Sequence, residues 1–430
     1  MCLFNICQLI VEAIKELLFS HDFLEAHRLP NRFVRSSGKL SMLHVITYLF
    51  YTSKQAMHTN IANIIFELPS LEFPKVSKQA LSKARQGVLP SLFQALFNLS
   101  TDIFNKNLAQ RKYWRDKYNI YAIDGSKISV PVSKSNFENY GEMFSKQDPK
   151  RRWSMALCST IYDVCNDFIV HGLLRRYLAS EREAALQHCS ELEKLGQFEN
   201  SIILFDRGYY SEKMFRYFFD KGHLCVMRIK DNYNIAKSCK GDTILKLFGD
   251  PNDGTEDIPV RVIAVPLDGG TTEYLATNIP NTDLPAADFK ELYFLRWTLE
   301  TKYNEIKNQL TMEEFSGATS TSVEQEFYLN LLLSNLAALI KNSADIEIQE
   351  QRRNKDNNYR YQANRAYIIC RMKWFLSRFL SGDVTVVILS DIYTSSCKAL
   401  SQIQPGRKCP RKKKHSDRER KHFNNRKQVV

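Results

Sequence analysis

The sequence predicts an α/β protein in which a sheet-forming middle is flanked by helical ends. Three observations predict it. Residues 1 to about 110 carry helical periodicity and little strand signal. From Tyr118 onward, short apolar runs alternate with turns and amphipathic helices, and two of the runs end in an aspartate. Beyond residue 281 the helical pattern returns and continues to about Phe379. With 430 residues, 44% hydrophobic and 12% aromatic, the chain has material for the cores of two or three domains.

Taken in order, residues 1–112 are expected to form a helical N-terminal domain, broken near Pro30, residues 36–38, Pro69, Pro74 and Pro90. Within it, residues 76–85 read as a helix with Lys78, Lys83 and Arg85 outward, and Arg28, Arg32, Arg35 and Lys39 form a second basic cluster. Residues 119–124 are an apolar run closing on Asp124, and residues 126–131 alternate behind Gly125, which together read as two strands paired across a Gly125 turn. Residues 152–162 and 167–174 read as further strands, followed by a helix starting near Ser180 with Glu183 placed as in a capping box. Residues 201–206 repeat the apolar run ending in Asp206, then Arg207-Gly208-Tyr209-Tyr210 leads into a helix over 211–221. A buried strand over 224–230 precedes a β-rich insertion at 240–280, rich in Gly, Asp and Pro turns. The sheet-forming core is therefore assigned to 113–239 and 281–345, a mainly helical C-terminal region to 346–403, and a basic, disordered tail to 404–430.

The net charge of +13 is uneven: residues 407–427 hold eleven Lys/Arg against Asp417 and Glu419, nine of the thirteen charges. Such a tail suits a polyanion or serves solubility. The ten cysteines show neither Cys-x-x-Cys pairs nor zinc spacing, so a reduced, cytoplasmic protein is expected. The first residues lack the charge pattern and cleavage site of a secretory signal, and the longest apolar stretch, 327–340, is too short for a bilayer and contains Asn330 and Asn335. No membrane role is expected.

The chemistry lies in spacing. Tyr293, Arg296, Glu300 and Lys307 stand at offsets of 0, 3, 7 and 14. At about 100° per residue they fall within an arc of roughly 60°, so one helix presents a phenol, two cations and a carboxylate as a stripe. Asp124 and Asp206 become neighbours if their strands pair in parallel, and the helix lays Glu300 beside them. Like charges gathered in this way are unfavourable when empty and favourable around one or two Mg2+ or Mn2+ ions, which suits in-line attack on a phosphodiester.

These residues resemble the DDE transposases of the fourth insertion-sequence family, whose signature Tyr-x2-Arg-x3-Glu-x6-Lys is met by Tyr293, Arg296, Glu300 and Lys307. The similarity extends to residues 123–126, 205–209 and 275–279. The resemblance implies an RNase H-like catalytic core interrupted by the β-rich insertion, with Asp124, Asp206 and Glu300 as the catalytic and metal-binding triad, holding two Mg2+ or Mn2+ ions. It implies DNA contacts from Tyr293, Arg296 and Lys307, with Arg207 and Tyr209 beside them. A flipped base in such enzymes stacks on an aromatic. Trp297 lies about 100° around the helix from Arg296 and is expected in the core, leaving Tyr209, Tyr210 and Trp153 as candidate stackers.

The reading is a DNA transposase, an endonuclease and strand-transfer enzyme of a transposable element, that binds terminal inverted repeats and target DNA as a synaptic homodimer and recombines DNA by cut-and-paste. The alternatives are an RNase H-like nuclease without strand transfer, or a catalytically silent DNA-binding relic or repressor.

Overall fold

The computed structural model describes residues 3–34, 38–52, 55–107, 109, 111–145, 148, 152–250, 252, 254–267, 270–310, 312–353 and 359–403. Arg35, Cys2, Cys409, the 268–269 turn and the basic tail from 404 onward lie outside the described residues.

The strands are β1 (Asn119–Val130), β2 (Met143–Phe144), β3 (Arg152–Asp163), β4 (Phe168–Arg176), β5 (Ser201–Phe205), β6 (Leu224–Ile229), β7 (Asp242–Leu247), β8 (Ile258–Pro266), β9 (Thr272–Thr277), β10 (Arg360–Ala363) and β11 (Leu400–Ile403). The N-terminal helices are α1 (Leu3–Phe19), α2 (His21–Ala26), α3 (Met42–Tyr51), α4 (Met57–Glu67), α5 (Lys78–Arg85) and α6 (Pro90–Lys106). Within the sheet region lie α7 (Lys134–Tyr140), α8 (Glu181–Lys194), α9 (Glu212–Asp220) and α10 (Asn234–Lys237). The remainder are α11 (Phe289–Phe294), α12 (Trp297–Asn308), α13 (Ser320–Arg352), α14 (Arg365–Ser381) and α15 (Ile388–Lys398).

Three antiparallel strands, β4-β3-β1, are followed by β5 and β6, each parallel to its neighbour, which is the RNase H-like order. A parallel step needs a crossover, and α8 and α9 supply the two crossovers. Both start on a serine whose side chain accepts an amide hydrogen bond three residues on, Ser180 from Glu183 and Ser211 from Met214. The strands of residues 240–280 do not stand apart from this core. β9 pairs antiparallel with β6, and β8 and β7 follow, so the insertion lengthens the same sheet.

Strand alternation divides the interior in two. Ile120, Ala122, Ile202 and Leu204 point to one face, whereas Tyr121, Ile123, Ile203 and Phe205 point to the other, where Ala185, Cys189, Met214 and Phe215 of α8 and α9 cover them. The first face joins a large helical body around α13, 33 residues long and buried on nearly every side. Helices α1 and α6 from the N-terminal segment and α14 from the C-terminal segment pack on it together. The expected N-terminal and C-terminal units thus share one core, because a helix apolar around its whole circumference must be covered from both directions. α13 also lies close to β4: a Cβ on Gly172 would come within 2.3 Å of Leu331 Cδ1.

Two local expectations fail. Gly125 makes no turn: β1 is a single strand of twelve residues, paired to β3 without interruption from Tyr121 to Val130. The glycine leaves room for close packing there, since a Cβ would lie 3.1 Å from Glu181 Cγ and Leu157 Cδ1. Nor does the stripe of Tyr293, Arg296, Glu300 and Lys307 occupy one helix, because α11 and α12 are separated at Leu295–Arg296 by tightened i to i−3 hydrogen bonds.

Cys7, Cys158, Cys189 and Cys225 are buried, and the cysteines of the described residues are free. No helix among the described residues is long and apolar enough to cross a membrane.

Candidate active site

In β1 and β5, Ile123 pairs with Phe205, so Asp124 and Asp206 follow at adjacent positions on parallel neighbours. Their even numbering continues the face of Ile120, Ala122, Ile202 and Leu204, the side against which α12 packs through Leu299, Tyr303 and Ile306. Asp124 lies within the strand, and Asp206 falls where β5 stops.

Helix α12 is fixed along β1 at two points. The Tyr303 hydroxyl donates to the Asp124 carbonyl oxygen at 2.7 Å, and Lys307 Nζ donates to the Lys127 carbonyl oxygen at 3.1 Å. Thr160 Oγ1 donates to the Tyr303 oxygen at 3.0 Å. One turn before Tyr303 is Glu300, whose Oε1 is 3.2 Å from Arg296 Nη2. The Arg296 guanidinium is only 2% exposed and lies in the field of Asp206 and Asp124 as well. Arg296 thus links the third carboxylate to the first two.

The centre is short of positive charge and hydrogen bonds. Burial pushes the Asp124 carboxyl up to about 7, against the Gly125 amide and Arg296, which lower it; Asp206 and Glu181 act in the same sense as burial. Asp206 Oδ1 is buried without a hydrogen bond, with Arg228 Nη1 3.8 Å away, and Arg296 Nε is likewise unsatisfied. Such an excess of carboxylate fits a divalent cation between Asp124 and Asp206. Among the described residues, no three acidic, His or Cys side chains stand together as a ready-made metal site. Glu300 is held instead against Arg296.

The other predicted residues separate into buried and exposed groups. Arg207 is exposed at the rim. Tyr209 is buried against Phe205, with its hydroxyl among Gly125, Asp124, Glu181 and Asp206, and Tyr210 is buried against Tyr233. Tyr293 is buried with its hydroxyl donating to the Phe205 carbonyl oxygen at 3.1 Å. Trp153 is half-buried at the start of β3. Trp297, expected in the core, is 42% exposed, with the Arg296 guanidinium 4.9 Å from its ring centre. The 100° separation was sound but the side was reversed: the stripe of Tyr293 and Arg296 faces inward, which turns Trp297 outward.

The family model for the transposase DDE domain matches residues 115–336, just over half of the chain, and spans all three carboxylates. The chain belongs to this family. It is also similar to the transposase InsG for insertion sequence element IS4 of Escherichia coli strain K12, 23% identical over 310 residues, which are 69% of this chain and 68% of that protein. Among solved structures it is similar to the piggyBac transposase in a synaptic complex with hairpin DNA, at a TM-score of 0.46 and 10% identity, covering 94% of this chain and 88% of that one.

Around the carboxylates, this DDE-domain chain places residues that motif reading missed. Tyr303 was legible only as one more apolar position on a helix, yet it ties Glu300's helix to Asp124's strand. Glu181, which reads as an acid in the first turn of α8, lies over Gly125 beside Asp124. Arg228 bridges Asp206 and Glu273, the latter at 2.9 Å, from strands no local pattern connects. A cavity of about 380 Å³ lies behind α12, lined by Asp167, Lys302, Glu305 and Arg365. Its charges pair with one another, and it is separate from the three carboxylates.

Proposed function

We propose that the protein is the transposase of an insertion sequence, binding the terminal inverted repeats, pairing two ends in a homodimer, and cutting and joining DNA with Asp124, Asp206 and Glu300. The observation that carries this is the register that sets Asp124 beside Asp206, with Glu300 delivered to the same face by a helix hydrogen-bonded to Asp124's own strand.

Asp124, Asp206 and Glu300 would hold Mg2+ or Mn2+, which when bound activates the attacking oxygen and stabilises the leaving one in phosphodiester chemistry. The chain's residues do the rest. Tyr303 and Lys307 fix the helix, and the half-buried Gly125 amide orients the Asp124 carboxylate by donating to Oδ1 at 2.8 Å. Arg296 neutralises Glu300 until DNA arrives, then turns to a phosphate, where a guanidinium binds well. Arg207 and Lys307 approach the same backbone from the rim, and Trp297 offers an exposed ring for an unstacked base. Tyr293 and Tyr209 shape the floor from buried positions.

The test uses duplex DNA carrying the repeats that flank the gene, in Mg2+, with nicking and strand transfer of pre-cut ends measured separately. Glu300→Ala abolishes both while end binding persists. Full cleavage by folded Glu300→Ala overturns the proposal, and cleavage without transfer by the native chain reduces it to a nuclease.

A further inference from the structure

Helix α5 buries only two of its eight residues. Leu81 and Arg85 are buried, but Ser77, Lys78, Gln79, Ala80, Ser82 and Lys83 are exposed, as is Lys75 just before it. The helix contains no acid. Lys78, Gln79, Ser82 and Lys83 stand at helical spacing as one stripe, Lys75 lies on the extended segment ahead of them, and none of these side chains has a hydrogen-bond or ion-pair partner among the described residues.

The sequence suggested that Arg85 points outward with the lysines. It points inward, and its position explains what holds so polar a helix. Arg85 donates from Nε to Gln325 Oε1 at 2.8 Å, from Nη1 to Ser316 Oγ at 2.8 Å, and from Nη2 to Glu326 Oε1 at 2.8 Å and the Ser322 carbonyl oxygen at 3.0 Å. Gln325 returns hydrogen bonds to the carbonyl oxygens of Arg85 and Val88. α5 is therefore mounted rigidly on the N-terminal turns of α13, while its outer face is left uncovered.

A second cation cluster, distant in sequence, is brought to the same place. Arg28 and Val88 form an antiparallel bridge, and Leu29 and Leu89 exchange backbone hydrogen bonds with Gly87 and His27 at 2.9 Å each. A Cβ on Gly87 would lie 3.1 Å from Arg32 Cβ, so exposed Arg32 stands at the C-terminal end of α5. Arg28 itself is engaged by Glu25.

We infer that the outer face of α5 reads base edges in a DNA major groove. An eight-residue helix is about 12 Å long, and the groove is about 12 Å wide. Gln79 and Ser82 supply hydrogen bonds that distinguish bases, Ala80 permits close approach, and Lys75, Lys78, Lys83 and Arg32 supply charge for the phosphates on either side. The inference rests on the end-binding part of the proposed function and assigns it to one helix.

The full chain is used to select from a library of random 30-base-pair duplexes, and the selected duplex is then titrated over a range of salt. Gln79→Ala and Ser82→Ala each change the preferred base at particular positions and weaken the selected duplex about tenfold, while binding to unselected duplex is unchanged. Lys78→Gln with Lys83→Gln weakens both duplexes and lowers the log–log salt slope by about 2. All these positions are exposed, and equal thermal melting confirms folding. If the native chain selects a motif that the variants select equally well at the same slope, the α5 assignment is overturned and end binding stands. If the native chain selects no motif, end recognition itself fails, and this inference with it.

Discussion

Helix α12 meets charge on two sides and deals with it differently. On the side facing β1 and β5, Glu300 and Arg296 confront Asp124 and Asp206, with Asp206 Oδ1 and Arg296 Nε unsatisfied. On the side facing β4, α13 and α14, Lys302 Nζ lies 3.1 Å from Asp167 Oδ1, Ser334 Oγ donates to Glu305 Oε1 at 2.9 Å, and Arg365 pairs with Glu305 and Asp167. Each charge on this second side meets an opposite one, although Lys302 is 2% and Glu305 4% exposed and Arg365 Nε is left without a hydrogen bond. Buried charge that meets counter-charge holds a helix in place, whereas buried charge left short of counter-charge is a place for something to bind.

Breaking the paired side has the largest effect on stability. Glu305→Ala leaves Lys302 and Arg365 buried with only Asp167 to share, and losing one partner of a buried pair costs about 3–5 kcal/mol. Denaturant unfolding of the variant measures it. A loss below about 1 kcal/mol would show that the network is already solvated, and the contrast between the two faces would disappear.

The unpaired side responds with the opposite sign. Asp124's carboxyl is held near 7 in the folded chain against about 3.8 unfolded, so the folded state binds the proton more tightly. Its neutral form stabilises the metal-free protein at low pH, and that contribution is lost as pH rises through about 7. Asp124→Asn should therefore leave stability unchanged near pH 4 and raise it at pH 8, by up to about 4 kcal/mol on a shift of this size, while eliminating cleavage. Melting curves of both chains at the two pH values, without metal, check the sign. An equal loss of stability at pH 8 would place Asp124 among the structural charges.

Much of this arrangement was legible because strand alternation is local. The runs before Asp124 and Asp206 carry their own phase, and parallel pairing puts two equal phases side by side. What was not legible depended on partners far along the chain. Gly125 reads as a turn unless one knows that Glu181, 56 residues later, fills the space above it. Arg85 reads as an exposed cation beside two lysines until Ser316, Gln325 and Glu326 are placed around it. Arg296 and Trp297 were correctly separated by phase, but phase does not state which side is inward, and the helical pattern gave no sign of the interruption at Leu295–Arg296. The shared core of the end segments was hidden for the same reason, since nothing in residues 1–112 indicates that α13 needs covering.

The smallest change addresses the seam between the two faces. Tyr303→Phe removes one hydroxyl, which both receives from Thr160 and donates to the Asp124 carbonyl oxygen. The stability cost is about 1–3 kcal/mol, because two hydrogen bonds are lost while the ring still fills its site. Catalysis should fall as well, about tenfold at saturating Mn2+, because the hydroxyl fixes the distance between Glu300's helix and Asp124's strand, and small misplacements of reacting groups carry large penalties. Mn2+ affinity, measured by titration without DNA, should weaken in parallel, which a purely structural role would not produce. If cleavage and Mn2+ affinity both match the native chain, the paired face alone holds α12 in position, and the two faces act independently.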